Sequence, residues 1–582
     1  MYIDKTLDQQ LDLEEQFNKH NIDKIISEQI DSNDKLYQST RWNILMECSE
    51  MMEEHELSLE DMTMSVWIEI LRNPKEKHIQ SIGTLIGNRM GLQGLPSVQA
   101  GVKLLEATAS LELFDLIIFD RSKIVRPLLR LDEETLTRIE KLQYQPPMVC
   151  RPNEWTDNSN GGWLSLTKHA VLGKGNHHNQ RLNLKCLNKL QQIAWTLDAS
   201  ILFKFVDENE YKGDNQIFIQ YLDRPFYFVW RYDKRGRMYS EGYNINLQSN
   251  EYRKAMITMC NDDTFTPEGM EWTKVAIANA FGQDKLTFKE RVKWFNRRIH
   301  FDTSTADEPI IATKMLETYQ KAEDGEPVAA NMFLDATASG IQIMAALSGC
   351  RKTASAVNMV GEDREDIYEH MAVNMNAQLQ PEDWVTRDQC KYPLMTHYYN
   401  SKERPKQDFN PNQLVAFYAM LEGAFPGAED VLDSINQCWI DKDVYEWTLP
   451  DGHRAVIRSK ITEGATVPIA GTEFFYEYTA YKPSGNGRHL APNIIHSIDG
   501  YIAREMVRRC PFPLAHIHDA FTTHPNNMGF VCQTYREIIA EICDSNLLQD
   551  ILQEVTGNPR LIYNKLGSSL AAEVLESKHM LS

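Results

Sequence analysis

The chain has 582 residues, 42% of them hydrophobic, and a net charge of −21, which allows several buried cores. No apolar run approaches the ~20 residues that cross a bilayer, which argues against a helical membrane protein. The acidic start, MYIDKTLDQQLDLEEQ, has neither the apolar core of a signal peptide nor the arginine-rich composition of a transit peptide. Ten cysteines lack CxxC spacing, so we expect free thiols in the cytoplasm and no membrane contact.

The negative charge is unevenly distributed along the chain. Residues 1–61 hold 16 acidic and 5 basic residues, whereas the segment from Lys285 to Arg298 holds six basic ones. Local fields steer ligands more than total charge does, so a polyanionic ligand is not excluded. The acidic N-terminal stretch has two interpretations, a solvated helical face or a surface for a partner protein.

The predicted elements divide the chain into two regions. Residues 10–145 show mostly helical spacing of apolar residues with little glycine or proline. The segment QPPMVCRPNEWTDNSNGGW (145–163) is rich in Pro, Asn and Gly and predicts a boundary. Helical and strand-like patterns mix after it, without internal repeats. We therefore predict a helical region at 1–145 and one large α+β domain at 146–582, mostly helical overall.

Asp335 closes an apolar run within NMFLDATASGIQIMAALSG (331–349). The run predicts a buried strand, and the residues after it predict a helix that Ser339 caps. A carboxylate at a strand end beside small residues can approach a bulky anionic ligand through a metal ion. An aspartate in a turn is the simpler interpretation of this segment taken alone.

A second carboxylate, Asp519, lies in PFPLAHIHDAFTTHP (511–525), whose apolar and β-branched flanks predict a β-hairpin with Asp519 at its turn. Two aspartates at strand ends can hold two Mg²⁺ ions together with substrate phosphates. Because the two residues are 184 positions apart, spacing leaves open that they are unrelated turn residues.

The segment between them, RDQCKYPLMTHYYNSKE (387–403), places four side chains at four-residue steps along one helical stripe, namely Arg387, Lys391, Met395 and Tyr399. Such a stripe either faces solvent or carries cations for a triphosphate and a ring for a base or sugar. Pro393 predicts that the helix starts or kinks there instead of running straight through Lys391.

Together the three segments resemble motifs A (331–349), B (387–403) and C (511–525) of the single-subunit RNA polymerases of the bacteriophage and mitochondrial type. The matched residues are Asp335 with Ser339, Gly340, Ile341 and Gln342; Arg387, Lys391, Met395, Thr396, Tyr399, Ser401, Lys402 and Glu403; and Ile517, His518 and Asp519. The segments YDKRGRMY (232–239) and APNIIHSIDG (491–500) are also similar to family signatures. Asn400 and Ala520 depart from the glycine and serine common in the family. The resemblance implies a right-hand polymerase fold, with palm, fingers, thumb and an antiparallel palm sheet, and thumb-like elements within 1–145.

The resemblance also implies a role for each site residue. Asp335 and Asp519, with the backbone carbonyl of Ala336, would hold two Mg²⁺ ions. The incoming ribonucleoside triphosphate would be bound by Arg387 and Lys391, with help from Lys293. Tyr399 and His496 would select ribose over deoxyribose. The hybrid of DNA template and RNA product would lie along Arg235, Arg237 and Tyr239.

Start-site recognition is where the sequence departs most from the well-known phage enzymes. The stretch CWIDKDVYEWTLPDG (438–452) is short, and we expect no room for the long β-hairpin that reads promoter DNA in the family. The resemblance thus predicts a shortened phage enzyme in a bacterial cytoplasm that needs an accessory protein or opened DNA. Two alternatives are a DNA polymerase or primase-like enzyme of the same superfamily, and a non-catalytic DNA-binding relative.

Overall fold

The computed structural model describes residues 2–18, 20–119, 122–142, 145–205, 218–469, 472–483, 485 and 487–582. Its α-helices are, in chain order, α1 Tyr2–Gln16, α2 His20–Asp31, α3 Asp34–Glu54, α4 Leu59–Leu71, α5 Ile79–Arg89, α6 Leu95–Thr108, α7 Glu133–Lys141, α8 Leu184–Gln191, α9 Ala199–Lys204, α10 Glu251–Met256, α11 Pro267–Ala280, α12 Phe288–Asn296, α13 Pro309–Glu323, α14 Ser339–Ser348, α15 Arg351–Ala356, α16 Ile367–Asn376, α17 Arg387–Tyr398, α18 Arg404–Asp408, α19 Pro411–Ala424, α20 Pro426–Gln437, α21 Leu490–Arg509, α22 Met528–Asp544, α23 Leu547–Thr556 and α24 Ala571–Glu576.

The strands are short and pair antiparallel in small sheets. They are β1 Lys77–His78, β2 Phe114–Phe119, β3 Ser122–Pro127, β4 Trp195–Leu197, β5 Val229–Tyr232, β6 Met238–Glu241, β7 Ile257–Met259, β8 Asp262–Asp263, β9 Val328–Ala329, β10 Met332–Asp335, β11 Val444–Thr448, β12 Arg454–Arg458, β13 Ile461–Ile469, β14 Thr472–Ala480, β15 Ala515–Ile517 and β16 Ala520–Thr523. The predicted mostly helical α+β class is confirmed. In the described ranges, no helix is both long and apolar enough to span a bilayer.

The chain forms two compact units. Unit 1 comprises Met1–Gln10, Pro146–Arg458 and Gly485–Ser582, and unit 2 comprises Leu11–Gln145 and Ser459–Ser484. Sequence patterns did not indicate that a segment beyond residue 458 joins the second unit.

Unit 2 is built on one hydrophobic core beneath its helices, with fully buried residues such as Ile44, Val66, Trp67 and Leu104. Helices α5 and α6 pack unusually closely, because a Cβ on Gly101 would lie only 1.8 Å from the carbonyl oxygen of Gly83. The region is mostly helical as predicted, but the helical spacing expected up to residue 119 is wrong from Phe114 onward. There the run FDLIIF is β-branched and aromatic enough to form strand β2, which pairs with β3.

The expectation that no long hairpin fits is also wrong. Residues 444–458 do form only a short hairpin, β11–β12, but β13 and β14 follow it with nine residues each. All nine positions pair, from Ile461 with Ala480 to Ile469 with Thr472. The hairpin lies on the C-terminal side of the LPDG turn, whereas the short stretch 438–452 ends at that turn.

Unit 1 contains the three-stranded sheet β10-β16-β15, which corresponds to the predicted palm sheet. The apolar helix α14 and the almost entirely buried α21 pack against each other beside it. Both helices bury most of their side chains, so they form a closely packed part of the unit. The sheet therefore offers a firm base for side chains at its strand ends.

Candidate active site

Strand pairing brings the two predicted carboxylates to one edge of the sheet. Antiparallel pairing of β10 with β16 sets Asp335 opposite Ala520, the residue directly after Asp519. The hairpin β15–β16 turns through His518 and Asp519, and the amide of Ala336 donates to the carbonyl of Asp519 at 3.2 Å. His518 has a φ of +56°, a costly conformation for a non-glycine residue, so the fold holds this turn against local strain.

A segment near residue 580 supports Asp335 from the other side. The backbone amide and carbonyl of Asp335 bond to Ser582 at 3.2 and 2.8 Å, and the amide of Thr337 donates to the carbonyl of Met580 at 3.1 Å. The side-chain amide of Gln342 donates to that same carbonyl at 3.1 Å. Asp335 is therefore held between β16 and residues 580–582, and its position depends on both.

The electrostatics of the pair favour a bound cation. Desolvation by the surrounding protein raises the pKa of Asp335 above its usual range, and the neighbouring Asp519 contributes in the same direction. In the part of the chain that the structure describes, neither carboxylate forms an ion pair, and the carbonyl of Ala336 accepts no hydrogen bond. Two unneutralised carboxylates and a carbonyl are oxygen ligands of the kind that Mg²⁺ prefers.

Helix α17 carries the predicted cation stripe into the same cavity. The helix begins at Arg387, where Thr386 and Gln389 form a capping box, and continues to Tyr398 with Pro393 inside it. Of the two predicted alternatives, a helix start at Pro393 is wrong, because the capping box fixes the first turn six residues earlier, and a kink at Pro393 stays a prediction. The prediction that Ser339 caps α14 is wrong too, since Ser339 is already helical and Ala338 occupies the cap position.

The cavity has a volume of about 600 Å³. It is lined by both aspartates, by Ala336 and by all four residues of the stripe, Arg387, Lys391, Met395 and Tyr399. Lys391 forms no ion pair with any residue that the structure describes. Its charge lowers the pKa of Asp335, although desolvation and the charge of Asp519 raise that pKa by more. Arg387, by contrast, donates to Asp366 at 2.8 Å and to Asp388 at 3.0 Å. Lys391 is therefore the more available charge for a polyanionic ligand.

Tyr399 and His496 form a polar pair at the wall of the cavity, with ring centroids 4.6 Å apart. Burial raises the pKa of Tyr399 to about 12, so its hydroxyl keeps its proton at neutral pH. Arg235 donates to Nδ1 of His496 at 2.6 Å, and burial with two nearby arginines keeps the pKa of His496 well below its usual range. Because arginine is only a donor, the neutral ring carries its proton on Nε2. Both residues thus present donors.

The predicted hybrid-contacting residues already have protein partners. Arg235 pairs with Asp233 at 2.6 Å, and Arg237 pairs with the buried Asp499 at 2.8 Å. The ring of Tyr239 packs edge-on against His518 at 5.2 Å. Of the three predicted residues, Arg237 is the one that lines the cavity. The positions of His496 and His518 therefore depend on these residues.

Lys293 is exposed on α12 and is not among the residues that line the cavity, whereas Lys285 is. The fully buried Arg291 donates to the carbonyls of Asp284 and Leu286 at 2.6 and 2.9 Å. Arg364 donates to the carbonyl of Lys285 and to the hydroxyl of Ser582, both at 3.2 Å. Sequence reasoning missed Lys285, Arg291 and Arg364, although the basic run from Lys285 to Arg298 was the signal that contained two of them.

Asn400 explains one departure from the family pattern. It follows Tyr399 with a φ of +62°, a backbone conformation that glycine adopts freely and asparagine tolerates better than most residues. Its side-chain amide bonds to Asn436 at 2.8 Å. Asparagine therefore replaces the expected glycine without moving Tyr399 away from the cavity.

Comparison with known proteins supports the sequence resemblance. A family model described as DNA-dependent RNA polymerase matches residues 263–327, a segment that ends shortly before β10. The chain is 23% identical over 503 residues to a probable DNA-directed RNA polymerase of Gelasinospora sp., covering 69% of this chain and 60% of that protein.

Two organellar enzymes match at the same identity of 23%. The mitochondrial DNA-directed RNA polymerase of Schizosaccharomyces pombe aligns over 57% of this chain and 35% of its own length, and mitochondrial DNA-directed RNA polymerase 1 of Arabidopsis thaliana over 70% and 46%. The chain thus spans between about a third and three fifths of the length of these relatives. The family model and the relatives therefore agree with the predicted resemblance to DNA-directed RNA polymerases.

Proposed function

We propose that this relative of the single-subunit RNA polymerases is itself a DNA-directed RNA polymerase, which adds ribonucleotides to an RNA 3′ end against a DNA template. The observation that carries the proposal is the convergence of Asp335 and Asp519 at one sheet edge, facing Lys391 across a single cavity. The names of the relatives support the same activity.

Two Mg²⁺ ions fit the oxygen ligands of Asp335, Asp519 and Ala336. In the described residues there is no cluster of three or more His, Cys, Asp or Glu that could enclose a metal completely. Mg²⁺ sites in nucleotidyl transfer have this composition, because substrate phosphates and water complete the shell. Bound there, the ions would activate the attacking hydroxyl and stabilise the charge of the leaving pyrophosphate.

The chain's own residues position the substrate. Lys391 supplies a compact charge for the triphosphate, and Arg387, oriented by Asp366, supplies a planar fork beside it. Lys285 lies on the same cavity wall and is a better candidate for a third cation than Lys293. Tyr399 and Nε2 of His496 offer donors to the ribose, and a deoxynucleotide would leave a buried donor unpaired.

Primer extension tests the activity. An RNA primer annealed to a DNA template is incubated with Mg²⁺ and either ribo- or deoxynucleotides. We expect extension with ribonucleotides and a clear disadvantage for deoxynucleotides. A preference for deoxynucleotides would favour the DNA polymerase alternative, and no extension with either would favour a non-catalytic DNA-binding relative.

Dependence on an accessory protein or on opened DNA stays a prediction. The sequence predicted this dependence because no long hairpin was expected. The pairing of β13 with β14 removes that reason. Run-off transcription on duplex, single-stranded and bubble templates tests what remains. Activity on the last two alone supports the dependence, and activity on plain duplex DNA contradicts it.

The bacteriophage origin and the bacterial cytoplasm also remain predictions. They rest on the motif pattern and on the acidic N-terminal sequence. The relatives from Schizosaccharomyces pombe and Arabidopsis thaliana are mitochondrial enzymes by name. Sequencing the DNA that flanks the gene tests the origin, because phage structural genes beside it are the expected result and organellar genes would contradict it.

A further inference from the structure

A groove outside the catalytic cavity runs along α8. It has a volume of about 680 Å³, and α8 forms one wall by packing against α21. We call it the α8 groove and define its charged lining by Arg181, Lys185, Lys189, Asp451, Glu505 and Arg508.

The α8 groove carries a net positive charge on a strongly acidic protein. Its two carboxylates are buried and already paired, Asp451 with Arg504 at 2.5 Å and Glu505 with both Arg508 and Arg509. Arg181, Lys185 and Lys189 are exposed, and none of them forms an ion pair with a described residue. Three uncompensated cations on a chain of net charge −21 make this groove a site for a polyanion.

Local contacts position the three cations along the groove. Lys185 and Lys189 lie four residues apart on one face of α8, and Arg181 lies in the irregular segment three residues before the helix begins. The backbone carbonyl of Arg181 accepts from Arg454 of β12 at 2.9 Å, and Nζ of Lys189 donates to the carbonyl of Cys510 at 2.6 Å. Gly452, with a φ of +76°, leaves room for the Arg181 guanidinium, since a Cβ there would lie 3.0 Å from it.

The α8 groove is bonded to the turn that is predicted to contact the template–product hybrid. The buried guanidinium of Arg504 donates to both oxygens of Asp451 in the groove wall, at 2.5 and 3.1 Å. It also donates to the carbonyl of Gly236, between Arg235 and Arg237, at 2.6 Å. One buried side chain, Arg504, thus links the wall of the α8 groove directly to the turn that is predicted to contact the hybrid.

We propose that the α8 groove binds the phosphodiester backbone of a single nucleic-acid strand as it leaves the hybrid. The inference rests on the proposed function for the identity of that strand. That the ligand is a phosphodiester backbone is inferred from the charges of the groove alone. Contacts of this kind bind phosphates without reading sequence and weaken steeply with salt.

The test compares hybrids with and without a single-stranded extension, either on the RNA or on the DNA strand. Binding of each fluorescent hybrid to the full chain is measured by anisotropy over a range of NaCl concentrations. The triple variant Arg181→Gln, Lys185→Gln, Lys189→Gln removes three phosphate contacts, which lowers the salt slope for an extended hybrid by about 2. If binding at 1 M salt is unchanged, this slope corresponds to about 100-fold weaker binding at 0.1 M.

The matched control is the triple variant Lys289→Gln, Lys321→Gln, Lys352→Gln, which makes the same charge change at exposed positions away from the groove. We expect the control to keep the wild-type slope and the hybrid without extension to be insensitive to the groove variant. Loss of the slope with the RNA extension identifies the product as the bound strand, and loss with the DNA extension identifies the template. An unchanged slope with both extensions overturns the proposal.

Failure of the proposed function gives a different result. A wild-type chain that extends no primer contradicts the polymerase assignment. The anisotropy difference between groove variant and control on free single strands still measures the groove in that case. Circular dichroism and thermal unfolding of both triple variants establish that any loss of binding is not a loss of fold.

Discussion

The catalytic cavity and the α8 groove use similar residues in opposite ways. In the cavity, Asp335 and Asp519 form no ion pair with a described residue, which leaves negative charge available for metal ions. In the groove, Asp451 and Glu505 are fully paired, and the charges left over are those of Arg181, Lys185 and Lys189. The composition of a site thus says less about its ligand than the internal pairing does, because paired charges are already neutralised.

The largest expected effect is on nucleotide addition in the cavity and leaves binding in the groove unchanged. Asp519→Asn removes a proposed metal ligand and should lower the rate of ribonucleotide addition by on the order of 10³-fold or more, the equivalent of several kcal/mol of transition-state stabilisation. Single-turnover primer extension measures it, with Asp324→Asn as an exposed aspartate control. Binding of an extended hybrid should keep its salt slope. Normal addition by Asp519→Asn would refute the two-metal assignment.

The next effect concerns the ion pair that joins the groove wall to the Gly236 turn. Asp451→Asn leaves the fully buried Arg504 without a counter-charge and should cost about 3–5 kcal/mol of unfolding free energy. Arg504 holds the pKa of Asp451 well below its usual 3.8 against the opposing effect of burial. The pair therefore stabilises the fold above about pH 4 and loses this contribution as pH falls through the depressed pKa.

Urea unfolding at several pH values measures this difference. Wild type and Asp451→Asn should differ by a constant amount between pH 5 and 8 and converge in acid. Glu446→Gln is the control, because it breaks a partly exposed pair with Arg454 that is worth about 0–1 kcal/mol. Equal destabilisation by the two substitutions would contradict the structural role given to Asp451.

Sequence patterns predicted the strands, the hairpin and the cation stripe of the cavity, because these are local and have strong periodicity. They did not predict the contributions of Ser582, Arg291 or Arg364, since these residues reach the site through contacts between distant parts of the chain. Pro393 was misleading for a physical reason. A proline disfavours helix locally, but the capping box at Thr386 and the pairing of Arg387 outweigh that preference.

A third prediction concerns sugar selection at the cavity wall. Tyr399→Phe removes one donor hydroxyl and should reduce discrimination against deoxynucleotides by about fivefold, since one hydrogen bond contributes about 1 kcal/mol. Competition between ribo- and deoxynucleotides in primer extension measures the ratio. The control is Tyr392→Phe on the exposed face of α17, which should leave the ratio unchanged. Unaltered selection by Tyr399→Phe would show that the Tyr399 hydroxyl does not bind the ribose.

The smallest expected effect lies in the groove. Gly452→Ala forces a β-carbon into a backbone with a φ of +76° and against Arg181, at a cost of about 1 kcal/mol in stability. Displacement of one cation should weaken binding of an extended hybrid a few-fold and leave nucleotide addition unchanged. Gly325→Ala is the control for backbone strain alone, because its φ is +82° and no atom lies within 4 Å. Equal binding by both alanine variants would show that Arg181 does not contribute to binding of the ligand.

Template-directed addition of a single nucleotide tests the central claim most directly. The full chain receives an RNA primer on each of four DNA templates that differ only in the first unpaired base, with Mg²⁺ and one ribonucleotide at a time. The proposed function predicts that each template directs addition of its complementary ribonucleotide. Addition that ignores the templating base, or no addition on any template, would contradict it.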